Sequence, residues 1–141
     1  HDLGRASRVI RLDFEVKTYD IDFAGVVSNL VYVRWLEDLR LAYLSSAMSL
    51  DELMTQQLYP TLVHTSINYR APVRFPDQVI GEMRFVEAGT TSMVLEATFR
   101  SKKSGAVVAD ARQTGLLLDG KTGRPVPVPA ELLRLLPQDQ G

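Results

Sequence analysis

The chain has 141 residues, 45% of them hydrophobic and 23% charged, with 16 basic residues against 17 acidic ones. That length fits one domain over residues 1–141 around a single core, and the charge balance leaves no cationic excess to neutralise a nucleic-acid backbone. Cysteine is absent, which removes disulfides, thiolate catalysis and cysteine-ligated zinc, and two histidines (His1 and His64) are too few for a histidine-rich metal site.

Residues 1–10 carry Arg5 and Arg8 but no apolar segment of the kind a leader needs. Apolar runs are a few residues long, against the roughly 20 required to cross a bilayer. The expectation is a cytoplasmic protein without a membrane partner.

In chain order, residues 10–17 alternate: Ile10, Leu12, Phe14 and Val16 face one way, and Arg11, Asp13, Glu15 and Lys17 the other. Such a period of two is that of a half-buried strand. After Gly25 the period changes. Val31, Tyr32, Trp35, Leu36, Leu39, Ala42 and Tyr43 share one face of a helix expected over about 29–47, with Ser28 or Asn29 as its N-cap. A short helical turn fits 50–58. Strands are expected over 61–69, 77–88, 91–103 and 106–118, separated by Ala71-Pro72, Gly89 and Ser104-Gly105. Pro125, Pro127 and Pro129 then impose an extended stretch before a short amphipathic end at Leu132–Leu136. Hairpin-joined strands pair antiparallel, and a single long helix buries its apolar stripe on the sheet's concave face. The class is α+β, one curved antiparallel sheet wrapped around a long central helix.

The segment from Tyr19 to Glu37 carries the chemistry. Asp22 follows the strand, precedes Gly25 by three residues and lies near the helix start. A carboxylate there could attack a carbonyl carbon as a nucleophile or activate water as a general base. It could equally be a cap or a partner of the helix dipole. Asp20, two residues earlier, would share a strand face with Asp22, although shaping the loop through backbone hydrogen bonds is its simpler role. Gly25 permits a tight turn, and the N–H groups of Val26, Val27, Ser28 and Asn29 are candidate oxyanion donors. Tyr32, Trp35 and Tyr69 are candidates for the wall of an apolar pocket, against the plainer reading of core aromatics, which is the stronger one for Trp35. Arg70, Arg74, Lys102 and Lys103 are the cations available for an anionic ligand group such as a phosphate. His64 reads as a structural strand histidine.

Read as Asp20-x-Asp22-x-x-Gly25-x-Val27, then Tyr32, Trp35 and Glu37, the segment resembles the signature of hotdog-fold acyl-CoA thioesterases of the 4-hydroxybenzoyl-CoA thioesterase family. Ile67-Asn68-Tyr69-Arg70-Ala71-Pro72 followed by Asp77, and Thr122-Gly123-Arg124-Pro125-Val126-Pro127, are similar to further family segments. The chain departs from the common pattern at Ile21, where many members carry threonine. The resemblance implies a hotdog fold, an acyl-CoA substrate and Asp22 as the catalytic carboxylate. It also implies a helix-start amide between Gly25 and Asn29 on the thioester carbonyl, and a homodimer or homotetramer with sites at subunit boundaries. It implies no metal or redox cofactor; CoA belongs to the substrate. Hydrolysis of an acyl-CoA to free acid and CoA is the expected reaction. The rivals are an acyl carrier protein thioesterase, a non-catalytic acyl-CoA-binding or sensing domain, and a dehydratase on the same fold, for which His64 is a poor catalyst.

Overall fold

The computed structural model describes residues 9–137; His1, Arg5 and Arg8 lie outside the described residues. The first alternating stretch forms β1 (Val9–Glu15), which pairs antiparallel with β3 (Gln78–Ala88), Phe14 opposite Val79 and Leu12 opposite Gly81. The long helix α1 (Asn29–Ser45) starts where Ser28 Oγ accepts the Leu30 N–H at 3.3 Å. It ends two residues earlier than the periodicity suggested, where Ser46 Oγ turns back to donate to the Tyr43 carbonyl at 2.6 Å. A hydroxyl that competes for helix carbonyls favours such an end. Next comes α2 (Leu50–Thr55), opened by a reciprocal pair in which Ser49 Oγ accepts from the Glu52 N–H and Glu52 Oε1 from the Ser49 N–H, both at 3.0 Å.

Four strands follow as expected: β2 (Leu58–Tyr69), β3, β4 (Ser92–Ser101) and β5 (Val107–Asp119). The sheet order is β1-β3-β4-β5-β2, every neighbouring pair antiparallel, so β1 and β2 are the two edges. Register shifts at Leu62/His64, Phe85/Glu87 and Phe99/Arg100 mark bulges. Bulges bend and twist a strand, which curls this sheet around α1. A last helical turn, α3 (Ala130–Leu133), buries Leu132.

Leu36, Leu39 and Tyr43 of α1 meet Val79, Met83, Phe85, Phe99 and Leu117 of the sheet, all at most 1% exposed. Gly81 is required in this layer: a Cβ there would fall 2.8 Å from the Phe14 ring and 3.1 Å from both Leu39 and Phe99. α1 packs on β1 and β3. The far edge strand β2 meets the short α2 and is otherwise open, with nine of its twelve residues exposed.

Candidate active site

The loop between β1 and α1 is built from backbone pairs. After β1 the chain makes a 3-10 turn over Thr18–Asp20 instead of continuing as a strand. Asp20 is buried and its Oδ2 accepts the Lys17 N–H at 2.8 Å, closing that turn. Asp22 is exposed, on the following turn. Asp20 and Asp22 therefore do not share a strand face, because the 3-10 turn removes the period of two on which that expectation rested. The simpler role expected of Asp20, shaping the loop, is the one observed.

Asp22 N–H donates to the Val26 carbonyl and the Gly25 N–H to the Asp22 carbonyl, both at 2.9 Å. The reversal places Gly25 at φ 82°, a region that favours glycine. Asp22 Oδ1 accepts the Ala24 N–H at 2.9 Å and, more weakly, the Val26 N–H at 3.4 Å. Among the described residues no group hydrogen-bonds Oδ2. The carboxylate is thus anchored by one oxygen with the other open to solvent.

Most of the candidate amide donors are already committed. The Val27 N–H donates to the Val73 carbonyl at 2.8 Å and the Ser28 N–H to the Asp20 carbonyl at 2.9 Å. That of Val26 faces Asp22 itself. The N–H of Asn29, first residue of α1, has no acceptor among the described residues; it is one of the orphan donors every helix start presents. Val27 and Ser28 thus drop out as oxyanion donors, since a paired amide must break its bond before holding a new charge.

Asn29, Val26, Val27, Tyr32 and Tyr69 border a cavity of about 180 Å3 beside this helix start. The Tyr69 hydroxyl donates to the Asn29 carbonyl at 3.4 Å, and its ring meets Tyr32 edge-on with centroids 5.6 Å apart. Burial, helped by neighbouring Tyr69, pushes the Tyr32 pKa up to about 12, so this phenol stays neutral. Trp35 does not line the cavity. It is buried and stacked on Phe14 at 5.0 Å, a core residue instead of a pocket wall, because α1 turns that face to β1.

The four expected cations separate. Arg74, Lys102 and Lys103 line one groove of about 440 Å3 with Phe75, Pro76, Asp77 and Gln78. Arg74 is also bridged to Val26, which joins the groove to the Asp22 loop. Lys102 reaches Asp13 at 3.5 Å. Arg70 instead borders the smaller cavity beside Asn29, with its guanidinium paired with Asp110 of β5. Sequence reading missed Val73, whose carbonyl fixes the Val27 amide from 46 residues away; no local pattern reports such a contact.

A family model described as the thioesterase-like superfamily matches residues 16–136. The chain is 26% identical over 129 residues to the long-chain acyl-CoA thioesterase FadM of Escherichia coli (strain K12), covering 92% of this chain and 98% of that protein. Among solved structures, a probable thioesterase from Escherichia coli superposes with a TM-score of 0.80 at 25% identity, covering 89% of this chain and 95% of that one. A 1,4-dihydroxy-2-naphthoyl-CoA thioesterase from Synechocystis gives a TM-score of 0.81 at 20% identity, with 90% and 94% covered. A hypothetical Staphylococcus aureus protein in complex with CoA gives 0.84 at 13% identity, with 94% and 89% covered. The last two share the hotdog arrangement of sheet and helix.

Proposed function

Because the chain belongs to the thioesterase-like superfamily, we propose that it is an acyl-CoA thioesterase in which Asp22 carries the chemistry. The reaction is thioester plus water to carboxylic acid plus CoA. The observation that carries the reading is the pairing, within one short loop, of a carboxylate with a free oxygen and the unpaired Asn29 amide at a helix start.

Two routes use this geometry. In the first, Asp22 Oδ2 attacks the carbonyl carbon, the C–S bond breaks, and CoA leaves as a thiolate that takes up a proton. Water then cleaves the acyl–aspartyl anhydride, returning the carboxylate. In the second, Asp22 takes a proton from water, whose oxygen attacks directly. Both develop negative charge on the carbonyl oxygen, and the Asn29 N–H with the α1 dipole behind it is placed to hold that charge. Loss of one such donor costs about 10²–10³ in kcat. The acyl group enters the space beside Tyr32 and Tyr69, and the CoA phosphates take Arg74, Lys102 and Lys103. No metal or redox group is needed for either route. The lack of cysteine supports a cytoplasmic setting, and none of the described helices is long and apolar enough to cross a membrane.

The working unit is a homodimer. β2 offers a free edge twelve residues long, flanked by exposed Leu62, Val63 and Tyr69 and by exposed Leu30, Val33 and Leu41 on α1. A long apolar edge strand is a template for pairing with a second copy. Antiparallel pairing about the middle of β2 sets the end of one strand beside the start of the other. Since Tyr69 touches Asn29, each Asp22 loop then borders the partner's Pro60–Leu62 segment.

The test is free-thiol release from a panel of acyl-CoAs, for the wild type and Asp22→Asn. Long-chain thioesters come first, the class for which FadM is named, followed by short and aromatic ones. Turnover of at least one member that collapses in a folded Asp22→Asn is the expected result. Tight binding without turnover across the panel would instead make the chain an acyl-CoA sensor.

A further inference from the structure

The second half of α1, the start of β2 and the C-terminal turn enclose a cavity of about 230 Å3 that shares no lining residue with the one beside Asn29. Its wall is apolar, built of Leu44, Phe85, Met93, Leu95, Leu132 and Leu135 among others; the charged side chains on it are Glu37 and Arg40. Arg40 is half-buried, and its Nη1 donates to Gln113 Oε1 at 3.1 Å. Gln113 is 2% exposed and its Nε2 donates to Thr65 Oγ1, also at 3.1 Å. That second bond turns the amide oxygen toward the guanidinium and holds Arg40 in place.

Gln113 satisfies one of five N–H donors. No carboxylate lies within ion-pair distance of Arg40 among the described residues; Glu37, one turn earlier on α1, acts on it only electrostatically. Burial holds the Arg40 pKa below the usual guanidinium range, with Glu37 opposing that effect. The group nevertheless stays charged at neutral pH. A partly desolvated guanidinium with open donors at an apolar cavity is complementary to a carboxylate carried on an apolar chain.

We propose that this cavity binds an aliphatic carboxylate, with the tail among the leucines and the carboxylate on Arg40. Two molecules offer that chemistry: a free fatty acid, and an acyl-CoA whose chain ends in a second carboxylate. The second source rests on the thioesterase reading and the β2-paired dimer, in which the cavity mouth at Pro60–Leu62 borders the partner's Asp22 loop.

Calorimetric titration with octanoate separates the sources from each other and from the active site. Binding saturates in the wild type and in Asp22→Asn, weakens about tenfold or more in Arg40→Met, and less in Arg40→Lys. Binding of 1-octanol does not change in Arg40→Met, which also shows that the variant is folded. In parallel, kcat/KM is measured for octanoyl-CoA and for the same thioester bearing a terminal carboxylate. Selective loss of the carboxylated thioester in Arg40→Met assigns the site to the substrate's own tail; an unchanged ratio with octanoate binding lost assigns it to free acid. Octanoate binding that survives in Arg40→Met overturns the proposal. So does an absence of saturable binding in the wild type together with an unchanged ratio. If neither thioester turns over, the thioesterase reading fails, while the octanoate titration still decides this site.

Discussion

Gly25 fixes where the Asp22 carboxylate points, and its role separates backbone strain from packing. A Cβ at this position would meet only Arg74 Nη1, at 3.5 Å, an ordinary contact. The penalty for Gly25→Ala thus comes from holding alanine at φ 82°, about 1–2 kcal/mol. Urea denaturation should show that loss, and turnover should fall with it, since a relaxed loop releases the Ala24 N–H from Asp22 Oδ1. A variant unchanged in both measurements would mean the turn does not position the carboxylate. At this scale residue type and spacing put forward Asp22, Gly25 and Asn29 as candidates. They did not tell which amide is free. Val27 and Asn29 are equivalent by spacing to a helix start, and they differ only because Val73 arrives from another part of the chain to pair with one of them. The alternation of Asp20 and Asp22 misled for a related reason: two residues are too few to distinguish a strand from a turn.

Among the elements, β2 and β5 are fastened at their end by Arg70 and Asp110, with Asn68 donating to Asp110 Oδ1 at 2.9 Å. The Arg70 bond first, then the Asn68 bond, hold the Asp110 carboxyl below the usual carboxylate range, burial opposing them. A depressed carboxylate contributes stability above its unfolded pKa and loses it as pH falls through the folded one. Wild type should melt above Asp110→Asn at neutral pH, with the gap closing below about pH 4, the ordinary aspartate value. A gap independent of pH would show that the pair does not act through charge. Elements were more legible than contacts. The alternation before Lys17 and the apolar face from Val31 to Tyr43 are local patterns, and both produced the expected strand and helix. The pairing of Arg70 with Asp110 joins residues 40 apart, so Arg70 read only as a spare cation. Trp35 is buried for the same kind of reason: the stacked partner, Phe14, is supplied by β1.

In the whole molecule, α1 covers the sheet at β1 and β3 and leaves most of β2 exposed. Chain order showed one helix against several hairpin-linked strands, enough for the architecture, yet strand order is set by which edges meet in space. β2 at the sheet edge, beside the exposed stripe of α1, is what a partner copy would cover. Val33→Glu combined with Val63→Glu places charge on both halves of that surface and should convert dimer to monomer in light scattering, lowering turnover in step. A double variant that remains dimeric with full activity would move the interface elsewhere.

The most direct measurement is the single-turnover rate of a pre-bound acyl-CoA in wild type and in Asp22→Asn, with thioester binding measured alongside. The account predicts unchanged affinity and a rate lower by about 10² or more, in the range typical for removing a positioned general base. Equal rates in the two proteins would contradict it and take Asp22 out of the reaction.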